Sequence, residues 1–284
     1  MSLVVTGATG SLGRHVIETL LAKGTPADTI VAAGRNPERL AELAARGVKT
    51  AQIDYARPET LEGVFDGADA VLLVSGSEVG QRVQQHANAI AAAVSAGVGR
   101  IVYTSAPRAD VSELVLAPEH KATEQLIRES GIPATILRNG WYTENYVQAL
   151  QQARETGVVV ASVGDGRVAS ASRSDYAEAA AIVLADESHV GKVYELSGDV
   201  AWNYDELAST IGDIVGREVV FRSVTPEEHA AILAEAGLDE GTIGFVVALD
   251  ANTRDGLLAE TSGDLARLLG RPTTPLREGL LAAI

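Results

Sequence analysis

A doubly wound α/β fold with a smaller, interleaved α+β domain toward the C-terminus is predicted by three features of this sequence. Short β-like runs alternate with helical stretches through the first 138 residues. A glycine-rich turn joins the first of those runs to the first helical stretch. Past Arg138 the alternation breaks down, and a later helix–strand pair resumes it.

The strand-like runs are Leu3–Thr6, Ile30–Ala33, Thr50–Asp54, Ala70–Ser75, Arg100–Ser105 and Ala134–Arg138. Most are dominated by Val, Ile, Leu and Ala, as strands covered on both faces require. Helical patterns lie between them at Leu12–Lys23, Pro37–Arg46, Pro58–Phe65, Gly80–Ala96 and His120–Ser130. Such βαβ units build a parallel sheet, and right-handed crossovers place helices on both of its faces. Ligands of such sheets bind at the carboxyl ends of the strands. Val158–Val163, followed by Gly164-Asp165-Gly166, reads as a strand entering a tight turn. A helix, Asp175–Asp186, and a strand, Lys192–Leu196, return to the main sheet. From about Gly198 to Ile284 the pattern is short helices around one strand, Glu218–Ser223. Within it, Thr225-Pro226-Glu227-Glu228 reads as a helix N-terminus whose acids complement the dipole. The expected organisation is a sheet domain of residues 1–138 with returning elements at about 175–197, and a smaller substrate-covering domain of 139–174 and 198–284.

At 284 residues with 46% hydrophobic content, the chain can bury a substantial core. No apolar run is long enough to span a bilayer, and no signal peptide precedes Leu3, so a cytoplasmic location is expected. The absence of cysteine removes disulfides, thiolate catalysis and thiolate-ligated metals. The five histidines form no ligand cluster, and no metal site is expected. A formal charge of −15 argues against a nucleic-acid partner but leaves room for a small anion held locally. The oligomeric state is open, a homo-oligomer included.

The turn is Thr6-Gly7-Ala8-Thr9-Gly10-Ser11-Leu12-Gly13. A tight turn, close backbone approach and a helix N-terminus with free N–H groups make a cradle for a pyrophosphate. This strand–turn–helix context identifies a Rossmann-type dinucleotide site, with Gly7, Gly10 and Gly13 shaping it and Thr9, Ser11 and Leu12 lining it. An NAD site normally places a carboxylate at the end of the second strand; here Gly34-Arg35-Asn36 stands instead. A guanidinium pairs with a 2′-phosphate, so NADP is the expected cofactor, with NAD as the weaker alternative. Asp54 and Tyr55, after the third strand, are placed to flank the adenine.

These motifs resemble the NmrA-like branch of the atypical short-chain dehydrogenases, and within it bacterial NADPH:quinone oxidoreductases. The resemblance is carried by the glycine loop, Gly34-Arg35-Asn36-Pro37 and, most specifically, Leu137-Arg138-Asn139-Gly140-Trp141-Tyr142-Thr143-Glu144-Asn145. Ser75-Gly76-Ser77-Glu78-Val79-Gly80-Gln81-Arg82, Glu119-His120, Ala171–Tyr176, Trp202 and Pro272–Thr274 extend it over nearly the whole chain. It implies that Ser75, Gly76 and Ser77 pass the middle of the cofactor. It also implies that Asn139, Gly140, Trp141, Tyr142 and Glu144 bracket the nicotinamide and that Ser170 contacts the pocket contents. Thr104 and Ser105, ending the fifth strand, complete the implied lining. The alternative for Trp141 and Tyr142 is a purely structural role, sealing a junction between domains.

Short-chain dehydrogenases use a Tyr-x-x-x-Lys pair with an upstream serine, the lysine lowering the tyrosine pKa. Ser105 and Lys121 fit that register, but the tyrosine position is Ala117. A quinone suits such a site, because hydride addition gives a delocalised, weakly basic anion. Asn139 and Tyr142 are the expected substrate-orienting residues. His120 is either a substitute proton donor or a cap of the helix starting there; Lys121 either holds the ribose hydroxyls or is a surface lysine. His86 is read as a surface or packing residue and Gln81-Arg82 as a solvated helix face. Three functions fit: an NADPH-dependent reductase of quinones or related electron-poor aromatic carbonyls, a quinone-tailoring oxidoreductase or oxygenase of aromatic polyketide biosynthesis, and a non-catalytic dinucleotide sensor.

Overall fold

The apolar runs fold as strands and the amphipathic stretches between them as helices in a computed structural model that describes residues 1–284. In chain order these are β1 (Leu3–Val5), α1 (Ser11–Ala22), β2 (Ile30–Gly34), α2 (Pro37–Ala44), β3 (Lys49–Gln52), β4 (Ala70–Leu73), α3 (Arg82–Ser95), β5 (Ile101–Ser105), α4 (Ala117–Glu129) and β6 (Ala134–Asn139). Then come α5 (Val147–Thr156), β7 (Val158–Ala161), β8 (Arg167–Val168), α6 (Arg173–Ala185) and β9 (Val193–Leu196). The C-terminal stretch holds β10 (Trp202–Asn203), α7 (Tyr204–Val215), β11 (Val220–Ser223), α8 (Pro226–Glu235), α9 (Glu240–Arg254), α10 (Asp264–Leu269) and α11 (Leu276–Ala282).

The chain divides into two compact units. The first comprises Met1–Asp110, Leu116–Asn139 and Arg173–Leu196. Its seven strands form one parallel sheet in the order β3-β2-β1-β4-β5-β6-β9. The order reverses between β1 and β4, which is where a doubly wound sheet opens a crevice for ligands. On α1, Leu12, Val16, Ile17 and Leu20 recur at helical spacing and are buried. α1 packs on α6, whose buried Ala177, Ala179, Ala180 and Ala181 permit close approach. Across the sheet, Phe65, Ala89, Ile90, Ala93, Tyr103 and Ile127 belong to one core cluster with Val4, Val71 and Ile101.

Pro58–Phe65, expected to be a helix, forms only one 3-10 turn, Pro58–Leu61. Gly63 at φ +72° ends it, while Leu61 and Phe65 still insert into the core.

The second unit comprises Val111–Val115, Gly140–Ser172 and Ser197–Ile284. β7 and β11 pair in parallel, Val158 with Val220 through Ala161 with Ser223. β10 is a short second strand that the composition did not signal, paired antiparallel with β8. α9, at 15 residues, is longer than the short helices expected there. Thr225 accepts from the Glu228 N–H in a reciprocal capping box that starts α8. Buried Asp250 ties three segments together, accepting from the Ser162 N–H (2.7 Å) and Oγ (2.8 Å) and lying 2.7 Å from His229 Nδ1. No helix in the chain is long and apolar enough to cross a membrane.

Candidate active site

The reversal point is built by the ends of β1 and β4, and Thr6 joins them. Its hydroxyl donates to the Leu72 carbonyl (2.8 Å) and accepts from the Val74 N–H (3.0 Å) and the Tyr55 hydroxyl (2.5 Å). Gly7 then turns the chain at φ +61°, a left-handed conformation that suits glycine. A Cβ on Gly13 would lie 2.5 Å from the Gly7 carbonyl oxygen, so this close approach of helix to turn admits only glycine. Gly10 caps α1 without a side chain, and no acid stands in the first turn. The N–H groups of Ser11, Leu12 and Gly13 are therefore available to an anion at the positive end of the helix dipole.

The second strand supplies the adjoining arm. A Cβ on Gly34 would meet the Thr9 side chain at 2.8 Å, so β2 and the glycine loop also need a bare backbone there. Asn36 caps α2 by accepting from the Arg39 N–H (3.0 Å). Arg39 reaches back to donate to the Thr9 carbonyl (2.7 Å), bracing the loop. Arg35 is exposed, with Nη1 2.7 Å from Glu78 Oε1. Asp54 is taken up in its own turn, accepting from the Ala56 N–H (3.0 Å) with Arg57 Nε at 3.5 Å. Tyr55 follows it in the chain. Its hydroxyl points inward, donating to Thr6 and approaching the Val74 carbonyl at 3.1 Å, and burial pushes it well above the ordinary tyrosine range.

After β4, both polar backbone groups of Gly76 are held by α3. Its N–H donates to His86 Nε2 (3.0 Å), and its carbonyl accepts from Arg82 Nε (2.8 Å). Thr123 gives its hydroxyl proton to the Glu119 carbonyl (2.9 Å), so His86 Nδ1, 3.0 Å from that hydroxyl, is assigned the imidazole proton. Glu119 pairs with Arg82 Nη1 at 2.6 Å and accepts from the Gly80 N–H at 2.8 Å. Thr104 accepts from the Ser75 N–H at 2.9 Å, while Ser77 is exposed. Arg82 is 5% exposed, so the solvated face expected at Gln81-Arg82 is instead a clamp on the loop. Burial of a polar side chain depends on what packs over it, and no sequence spacing says that Arg82, His86 and Glu119 meet at one loop.

Ser105, ending β5, is held from α4. Its hydroxyl donates to Glu124 Oε1 (2.6 Å) inside a buried ionic cluster with Arg138. Ala117, in the tyrosine position, is a buried methyl at the first residue of α4. Because α4 begins there, His120 lies inside the helix and does not cap it. Its Nδ1 is 2.7 Å from the Tyr103 hydroxyl. Desolvation, with Arg82 and His86 nearby, lowers its pKa to about 3, so no imidazolium is available as a donor near neutrality. Lys121 is exposed on the same helix, and buried Asn139 closes β6 opposite Leu196 of β9.

Within the second unit, the segment after Gly140 is pinned to residues 169–172. Trp141 accepts from the Ala171 N–H (3.1 Å), Thr143 donates to the Ala171 carbonyl (2.9 Å), and Tyr142 bridges Ala171. Trp141, Tyr142 and Glu144 are half-buried. Ser170, expected to touch bound contents, has its buried hydroxyl shared between Thr143 Oγ1 (2.9 Å) and the Trp202 indole N–H (3.0 Å).

A family model described as NAD(P)H-binding matches residues 7–187. The chain is 45% identical over 278 residues to quinone oxidoreductase 2 of Escherichia coli, covering 98% of this chain and 97% of that one. It is 29% identical to an NmrA-like family oxidoreductase of Aspergillus flavus, over 99% and 94% of the two chains. Among solved structures, an Escherichia coli NADPH-dependent quinone oxidoreductase complexed with NADPH superposes with a TM-score of 0.94 at 45% identity, over 99% of both chains. Citrobacter triphenylmethane reductase complexed with NADP(H) superposes equally well, TM-score 0.94 at 40% identity over 100% of each chain. The chain belongs to the NAD(P)H-binding family, in its NmrA-like branch.

Two buried histidines give this NmrA-like chain a defined acid sensitivity. Burial first, and the positive charge of Arg82 second, lower His86 to about 3, the same value as His120. Between the unfolded value of 6.5 and that folded value, the unfolded chain binds the extra protons, so stability falls as pH falls. Each histidine is expected to contribute a slope approaching about 1.4 kcal/mol per pH unit. Denaturant titrations between about pH 6.5 and pH 5, above the main carboxylate range, measure it. An unfolding free energy that stays flat across that window contradicts the neutral, buried assignment.

Proposed function

We propose that the protein is an NADPH-dependent oxidoreductase that delivers hydride to a quinone or a related electron-poor aromatic carbonyl. The observation that carries this reading is the likeness, over essentially all of both chains, to an NADPH-complexed quinone oxidoreductase. The site geometry agrees with it. Gly7, Gly10 and Gly13 shape a turn that an anion can approach, and the α1 N–H groups face it. Arg35 stands where a 2′-phosphate is read, and the clamp on Gly76 fixes the loop that follows β4. The cofactor, when bound, supplies the hydride. Asn139, at the end of β6, and Tyr142, just after it, orient the acceptor, with Trp141 and Glu144 beside them in the chain.

Proton delivery restricts the acceptor. With Ala117 in the tyrosine position and His120 neutral, neither of these two positions supplies a general acid for an alkoxide. Loss of a general acid lowers the rate of simple ketone reduction by about 10²–10⁴-fold. A quinone gains hydride to become a hydroquinone monoanion whose charge is spread over the ring, and water supplies the remaining proton. A small aromatic acceptor and a cytoplasmic location go with this reading, and the charge of −15 argues against a nucleic-acid partner.

The test is steady-state oxidation of NADPH with benzoquinone, naphthoquinones and cyclohexanone as acceptors. Quinones are expected to turn over at least about 100-fold faster than the ketone, as the missing acid requires. Tight NADPH binding without turnover of any quinone would replace the reductase with a dinucleotide sensor.

A further inference from the structure

Arg35, the cation assigned above to the 2′-phosphate, already has an anionic partner. Its Nη1 lies 2.7 Å from Glu78 Oε1. Glu78 is braced: its other oxygen accepts from Gln85 Nε2 at 2.8 Å, and Gln85 is only 5% exposed on α3. The loop carrying Glu78 is held on both sides, at Gly76 by His86 and Arg82 and at Gly80 by Glu119. Hydrogen bonds from Gln85 and Arg35 keep the carboxyl below the ordinary carboxylate range, so it is ionised at neutral pH.

A doubly charged phosphate arriving at this guanidinium meets a fixed negative charge. It either displaces Glu78 from Arg35 or sits beside it on the same cation, and both weaken binding. A cofactor with a free 2′-hydroxyl brings no charge to the spot, and its O–H can donate to the carboxylate. We propose that Glu78 is a specificity-determining residue, which competes with the 2′-phosphate for Arg35 and moderates the preference for NADPH over NADH. The inference rests on the assignment of Arg35 to that phosphate.

Calorimetric titration with 2′,5′-ADP and with 5′-AMP separates the two ideas, because these fragments differ only in the 2′-phosphate. Glu78→Gln keeps the shape and an acceptor for Gln85 while removing the charge. It is expected to tighten 2′,5′-ADP by about two- to fivefold, the range of a partly exposed charge interaction, and to leave 5′-AMP unchanged or slightly weaker. Unchanged 2′,5′-ADP affinity, or an equal gain for both fragments, overturns the competition. Arg35→Ala tests the parent assignment separately: no loss of 2′,5′-ADP affinity sinks that assignment. A clear loss in Arg35→Ala with no gain in Glu78→Gln sinks the competition alone.

Discussion

Glu124→Ala should destabilise the protein by about 3–5 kcal/mol, the size expected when one partner of a buried ion pair is removed. Glu124 is 2% exposed on α4 and receives three hydrogen bonds. Ser105 Oγ donates at 2.6 Å, Arg138 Nε at 3.0 Å and Arg138 Nη2 at 2.8 Å. Arg138 is itself buried on β6, and its remaining partners, Asp110 and Glu195, both bind Nη1. Truncation therefore strips the acceptors from one edge of a buried guanidinium and leaves a cavity beside β5 and β6. Arg128, 3.8 Å from Glu124 but largely exposed, is the control; Arg128→Ala should change stability by no more than about 0.5 kcal/mol. Equilibrium urea unfolding compares them. A Glu124→Ala loss below about 1 kcal/mol would mean that Arg138 finds other acceptors.

This cluster marks the limit of what the sequence discloses. The glycine loop and Gly34-Arg35-Asn36 are legible because a dinucleotide site makes local demands: a left-handed turn at Gly7, a bare backbone at Gly13, a cap at Asn36. The strands are legible because each is an apolar run bounded by turn residues. Ser105 and Tyr55 are read from their positions after strands and Ser170 from the family resemblance, and neither says where a hydroxyl points. Each finds a partner inside its own unit: Glu124, Thr6, and Thr143 with Trp202. His86, Arg82 and Glu119 lie on two helices whose packing brings them to one loop, an arrangement with no fixed sequence spacing. Pro58–Phe65 fails as a helix for the opposite reason, since Gly63 interrupts a pattern too short to nucleate a helix alone.

Gly13→Ala should weaken NADPH by at least about 100-fold while leaving the fold nearly intact, because the loss of aligned donors outweighs any change in helix stability. Alanine inside α1 gains up to about 1 kcal/mol of helix propensity, which offsets part of the roughly 1–3 kcal/mol of overpacking. The added Cβ would lie 2.5 Å from the Gly7 oxygen, 2.7 Å from the Gly7 carbonyl carbon and 2.9 Å from Ala8 Cα. All three are backbone atoms, so no side chain can rotate away. Either the start of α1 moves outward or the turn after β1 opens. The N–H groups of Ser11 and Leu12 then lose their alignment on the pyrophosphate, at about 1.5–3 kcal/mol for each charge-assisted bond. The pyrophosphate is common to both cofactors, so NADH should weaken by the same factor, whereas Arg35→Ala should weaken NADPH far more than NADH. Calorimetry with each dinucleotide, beside far-UV circular dichroism, reads binding and fold separately. NADPH affinity kept within about threefold would show that the turn tolerates a side chain, and that the pyrophosphate takes its donors from somewhere other than the start of α1.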